Sequence, residues 1–261
     1  RRPRPVAAGA PIAAAPAETG SGGLLRALLE QGRLEEADAE MADAGGGADA
    51  TTWTTMRALL DGQRPAVAAG LAAMLDLARA SGEACTWDRY WTQRWWAALE
   101  WGDENERYEV LDHCRTRAYR HGDLAWWGRL TLSLAGLGRT EEAVRAFDEA
   151  HRLLAGSAPS DVRLDVLSDL VEGAAVLGDA SRIVLAHRSV DWPEGRLVVV
   201  GPAVLCKGSV DRYRGLGLAA AGRWPEAGDC FRAAAEVHRA LGAGPLLDRT
   251  HRQAERCRSA A

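Results

Sequence analysis

The chain has 261 residues, 47% of them hydrophobic and 26% charged, with a formal net charge of −4. That balance suits a globular protein with a sizeable core and supplies no global positive field to hold nucleic acid or an anionic membrane. The longest apolar run, residues 197–205, is too short to cross a bilayer, and the five cysteines stand singly and odd in number, which fits a reduced, cytoplasmic setting better than a disulfide framework.

In chain order, residues 1–23 (RRPRPVAAGAPIAAAPAETGSGG) have arginines but no leucine-rich stretch. They read as a disordered Ala/Pro-rich linker of a longer polypeptide, with a genuine N-terminal tail as the alternative. From 24 to 261 the signal is internal repetition. Gly32, Ala37, Met41 and Ala44 form a weak unit, and turns follow at Gly62 and Gly102. Between those two turns and just past them, WDRYWTQRWWAALEWGD (87–103) holds five of the ten tryptophans. At about 100° per residue, Trp87, Trp91, Trp95 and Trp101 share one helical face and predict packing between hairpins. Trp96 points the opposite way, together with Arg89, Thr92 and Glu100.

The clearest units are Gly138, Ala143, Phe147, Ala150 and Gly222, Ala227, Phe231, Ala234, with a further turn at Gly178. The glycine ends one helix through a left-handed turn, and small and large apolar residues then alternate on one face of the next. Between Pro193 and Pro202 a β-branched run predicts an irregular loop with a short extended piece. A terminal helix over 246–258 is expected to cap the stack. Its basic residues, Arg249, His251, Arg252, Arg256 and Arg258, read as a solvated face rather than a nucleic-acid contact.

With Trp127, Leu130 and Leu134 before Gly138, and Gly215 and Leu218 before Gly222, these positions resemble the tetratricopeptide repeat (TPR), most clearly over 124–157 and 208–241. The C-terminal third, carried by Gly178-Asp179, residues 198–201, Cys206, Gly208-Ser209, Glu226-Ala227, Phe231 and residues 241–243, is similar to the C-terminal helical region of large multidomain bacterial regulators of actinobacterial type. Those place a STAND-type ATPase before a TPR-like region and add LuxR-type DNA-binding or adenylate-cyclase domains. The resemblance implies an all-α, right-handed α-solenoid of about six TPR-like hairpins. It implies a non-enzymatic sensor or protein-interaction domain, not a catalytic one, and no phosphate loop, cyclase signature or DNA-reading helix-turn-helix occurs in this chain.

In the first helix of a TPR hairpin, the side away from the core stripe lines a concave groove. The groove positions so assigned are Thr52, Met56, Arg89, Thr92, Trp96, Glu100, Ser168, Glu172, Arg212 and Leu216. For Trp96 two readings stay open, a groove contact or burial by neighbouring repeats. The expected occupant is a partner segment or another domain of the same regulator; a small-molecule effector in a Trp-rich apolar pocket is the alternative, and oligomers are compatible with either. No catalytic motif, cofactor site or metal set is read. His113, Cys114 and His121 lack zinc-ligand geometry, and Cys206 reads as a small buried apolar residue.

Overall fold

The computed structural model describes residues 21–43, 46–156 and 164–259. The linker expected over 1–23 lies outside these residues up to position 20, and its last three residues already belong to the first helix. Six interhelical turns share one hydrogen bond. The N–H of Arg33 reaches Leu28 O (3.0 Å), and the same five-residue step joins Gln63 to Ala58, Arg139 to Leu134, Asp179 to Ala174, Arg223 to Leu218 and Ala243 to His238. A glycine at positive φ precedes the donor each time. This closure satisfies the last helix carbonyls and reverses the chain within two or three residues, so successive helices lie antiparallel.

The helices pair accordingly. They are α1 (Ser21–Glu30) with α2 (Leu34–Asp43), α3 (Ala48–Asp61) with α4 (Arg64–Ser81), α5 (Ala84–Trp101) with α6 (Glu104–Arg115), α7 (Leu124–Gly136) with α8 (Thr140–Ala155), α9 (Leu164–Leu177) with α10 (Ala180–His187), and α11 (Val210–Ala220) with α12 (Trp224–Ala240), followed by α13 (Gly244–Ser259). Gly102 departs from the expected turn. Its φ is −67°, and Asp103 starts α6 by a capping box with Glu106. Glycine is needed there because a Cβ would stand 2.6 Å from Ala98 O. A π-helical turn, Thr116–Arg120, ends α6.

Burial separates the two helices of a pair. α8 buries one stripe, Ala143, Ala146, Phe147, Ala150 and Leu154, the pattern of a helix with one face to water. α7 buries every residue from Ala125 to Ala135, and α9 every residue from Asp165 to Ala174. Such helices are enclosed on all sides. The first helices also touch in a circuit: α3 meets α5, α7 meets α9, α9 meets α11, α11 meets α13, and α13 returns to α3. The link from α5 to α7 includes Trp95 Nε1 donating to Ser133 Oγ at 2.9 Å.

Inside the circuit lies an antiparallel hairpin, β1 (Leu197–Val200) and β2 (Leu205–Ser209), with all nine strand residues buried. The fold is therefore mostly helical rather than purely α, and the segment expected as an irregular loop is the centre of the molecule. The physical reason is that LVVV has no polar side chain to face water, while pairing with LCKGS satisfies its backbone. β1 touches α1 and α9, and β2 touches α3, α11 and α12. Remaining hairpin groups are met by side chains. Gln93 Nε2 donates to Val204 O (2.9 Å) and to Thr52 O (2.8 Å). Ser209 N–H donates to His238 Nε2 at 2.8 Å.

That last bond sets a glycine. Gly208 has φ +89°, and a Cβ on it would stand 2.4 Å from His238 Nε2, whereas Gly222 has φ +74° with open space around it. Gly222→Ala should cost about 1 kcal/mol through backbone strain alone, and Gly208→Ala should cost clearly more because it also displaces the imidazole. Urea unfolding of both variants checks this; equal losses would mean that the hairpin–His238 contact does not constrain the fold.

Candidate functional site

The inner faces of α5, α9, α11 and α13 bring charged side chains together, with Glu172 and Arg212 buried and Glu100, Arg249 and Gln253 partly buried around them. On α5, Gln93, Trp96 and Glu100 follow one another at helical spacing; α9 contributes Asp169 and Glu172, one turn apart; α11 contributes Arg212, and α13 contributes Arg249 and Gln253. Arg212 forms a fork on Glu172, Nη1 to Oε1 at 3.0 Å and Nη2 to Oε2 at 3.2 Å. Arg249 Nη1 donates to the same Oε1 at 2.9 Å and its Nη2 donates to Glu100 Oε1. Gln253 closes the group, with Nε2 to Glu172 Oε1 at 3.1 Å and Oε1 accepting from Arg212 Nη1 at 3.1 Å.

Burial alone would raise the Glu172 carboxyl, but the guanidiniums of Arg212 and Arg249 outweigh it and hold it at about 2. Glu100 goes the other way. Burial raises it, and Arg249, with smaller help from Arg212 and Arg252, does not make up the difference against the nearby Glu172 charge.

A second cluster adjoins through the hairpin. Lys207, the only lysine in the chain, is 1% exposed. Its Nζ lies 2.6 Å from Asp169 Oδ1 and donates to Asp165 O at 2.8 Å. Burial pushes Asp169 up to about 6 and Lys207 down, each against the pull of its partner. The Lys207 carbonyl accepts from Arg212 Nη2 (3.2 Å) and Tyr213 Oη–H (3.1 Å), which joins the two clusters.

Tryptophan rings pave both clusters. Lys207 Nζ lies 5.3 Å from the Trp95 ring centre, Arg129 lies 4.1 Å from Trp126, and Arg249 lies 4.8 Å from Trp96. These cation–π contacts favour charge in a dry site.

The assigned groove positions fall as follows. Trp96, Glu100, Glu172 and Arg212 come together through Arg249. Thr52, Met56, Thr92, Ser168 and Leu216 are buried along the same inner side; Ser168 Oγ donates to Asp165 O at 2.8 Å. Arg89 stands apart near the surface, paired with Asp49. Apart from Arg89, the assigned positions are enclosed rather than open to solvent along a trough. Of the two readings for Trp96, burial is the observed one: it is 2% exposed. Sequence reading missed Lys207, Asp169, Arg249 and Gln253. The signal available was that one lysine stands among 32 basic residues, inside an otherwise apolar run.

Away from the interior, Trp91 stacks on His113 (4.1 Å between centres, 11° between planes), and Trp126 meets the other side of the imidazole edge-on. Burial there, with Arg117 and Arg129 nearby, lowers His113 to about 4. Burial pushes the Cys114 thiol up to about 12 and Cys206 up to about 11. Among the described residues no group of three or more His, Cys, Asp or Glu side chains is placed to hold a metal ion, and no helix is long and apolar enough to cross a membrane.

His238, on α12 beneath α13, accepts from Ser209 N–H at Nε2. Its Nδ1 lies 3.0 Å from Thr250 Oγ1, whose hydroxyl donates to Leu246 O at 2.8 Å. The ring is therefore neutral with its proton on Nδ1. Burial, and then the Arg212 charge, lower it to about 3.

Comparison with family models, with curated proteins and with solved structures returns no match to this chain.

Two outcomes follow from these geometries. Lys207→Met leaves Asp169 buried without its cation and should cost about 3–5 kcal/mol. Adding Asp169→Asn should recover at least half of that loss; a double variant no more stable than the single one, by chemical denaturation, would refute the ion-pair account. For His238, a folded value of about 3 against an ordinary 6.5 means that the unfolded chain binds more protons between these limits. Its contribution is fully present above pH 6.5 and falls as pH drops toward 3, by about 2 kcal/mol at pH 5. Urea titrations at pH 7 and pH 5 should show this loss, and His238→Gln should flatten the difference by that amount.

Proposed function

We propose that this chain is a non-enzymatic protein-interaction domain built as a TPR-like, right-handed array of helical hairpins, of the kind found in multidomain bacterial signalling and transcription regulators. It works in the cytoplasm and joins other domains of the same regulator or a separate partner protein. Six turns with one closure, at Gly32, Gly62, Gly138, Gly178, Gly222 and Gly242, support the repeat reading.

The observation that carries the functional reading is what the inner faces of the helices hold. They grip an extended segment, the hairpin, by side-chain bonds to its backbone, and a helical segment, α13, by ion pairs. Holding peptide segments is thus the chemistry that this scaffold already performs on its own chain. The buried ion pairs of Glu172 with Arg212 and of Asp169 with Lys207 serve the same end, since each ties one element of the chain to another. Outside, Tyr108, Tyr119 and Leu185 are large apolar side chains left exposed on α6, the π-helical turn and α10, and they give the outer faces contact points of their own.

Photo-cross-linking tests the reading. With a photoreactive phenylalanine at position 108, 119 or 185 in turn, illumination of cells that make the protein should yield a discrete adduct from at least one position, to another protein or to another region of the same polypeptide. Adducts from none of the three would overturn it.

A further inference from the structure

α13 is attached unlike the other helices. Its buried residues are Leu246 and Thr250; Pro245, Ala254 and Cys257 add apolar contact, and the side chains with specific partners are Leu246, Arg249, Thr250 and Gln253, at successive steps of three, one and three, which keeps them on one face. Each has a dedicated counterpart. Leu246 lies where Gly208 has no side chain, with its Cδ1 3.1 Å from the position a Cβ would take. Arg249 covers Trp96 and joins Glu100 to Glu172. Thr250 Oγ1 accepts a hydrogen bond from His238 Nδ1–H, and Gln253 bridges Glu172 and Arg212. The seat is assembled from α3, α5, α9, α11 and α12, so no other single helix makes it.

Attachment by directional polar contacts is selective. A helix held by apolar area alone would exchange with any amphipathic helix, whereas this seat leaves a carboxylate or a guanidinium unpaired when the incoming stripe is wrong. The same contacts are exchangeable, since a free helix offering the same four side chains remakes every bond. We propose that the seat under α13 is a binding site for a partner helix bearing a Leu-x-x-Arg-Thr-x-x-Gln stripe, and that α13 occupies it as an intramolecular competitor. This inference rests on the interaction-domain reading above and supplies the chemistry of its partner. Tethering gives α13 a high effective concentration, so a partner helix reaches only those molecules in which α13 has left, and anything that loosens α13 strengthens the partner's binding.

The probe is a fluorescein-labelled synthetic peptide of residues 244–259, titrated by anisotropy with the full chain. The Arg249→Ala chain should bind the peptide at least tenfold more tightly than the unsubstituted chain, and a peptide with Arg249→Glu should lose at least tenfold on that same chain. Hydrogen exchange should speed up in α13 of the Arg249→Ala chain while α11 and α12 keep their protection. If Arg249→Ala disturbs the whole fold, Thr250→Val, which removes the His238 contact and the hydroxyl's bond to Leu246 O within α13, carries the same comparison with a smaller gain. Equal peptide binding by the loosened and unsubstituted chains, or equal binding of the Arg249→Glu peptide, overturns the proposal. Photo-adducts without peptide binding would leave the interaction-domain reading standing and this seat empty of a partner; peptide binding without photo-adducts would do the reverse.

Discussion

The carboxylate of Glu172 receives two bonds from Arg212, one from Arg249 and one from Gln253 at a place that water does not reach. Removing a carboxylate and a guanidinium from water is expensive, and the expense is offset only when the pair has good geometry and further hydrogen bonds; here Arg212 Nε alone of that guanidinium's nitrogens lacks a partner among the described residues. The position of three helices follows from that requirement. α9, α11 and α13 must converge to within hydrogen-bond reach of one group, and Glu100 then brings α5 to the same point through Arg249. An apolar core tolerates small slides between helices, whereas a forked carboxylate–guanidinium contact does not.

The hairpin is the second consequence. The helices that touch in a circuit enclose a space, and an unfilled space would forfeit the dispersion contacts of every residue around it. The chain fills the space with its own β-branched segment. Strands bring backbone groups into a dry place, and the array answers with Gln93, Arg212, Tyr213 and His238. The interior is consequently polar at its bonds and apolar at its surfaces, with indole rings lying against lysine and arginine cations.

The helices were legible in the sequence because their signals are local. The glycine before each reversal and the alternation of small and large residues, as in Ala143, Phe147 and Ala150, need only a few neighbours to be read. The two-sidedness of α5 was legible for the same reason: 100° per residue separates Trp95 from Trp96 whatever lies around them. What each side meets was not legible. Glu100 and Arg249 are 149 residues apart, and a charged residue on a helix is, by local criteria, a solvated one. Lys207 and Asp169 pair only because the hairpin folds into the middle, and a short run rich in valine between two prolines looks the same whether it ends inside or outside. The C-terminal helix was placed nearly to the residue, yet its role as the closing element depends on partners spread over five other helices.

The burial of Lys207 has a chemical consequence for the whole surface. Every exposed cationic side chain is an arginine or a histidine, since the sole lysine lies against Asp169 in the interior. An acylating reagent, or an enzyme that builds an isopeptide bond, therefore finds no side-chain amine on the folded chain. The amine becomes reactive only when the hairpin leaves the centre of the helices, so the rate at which position 207 is acylated measures how often this interior opens.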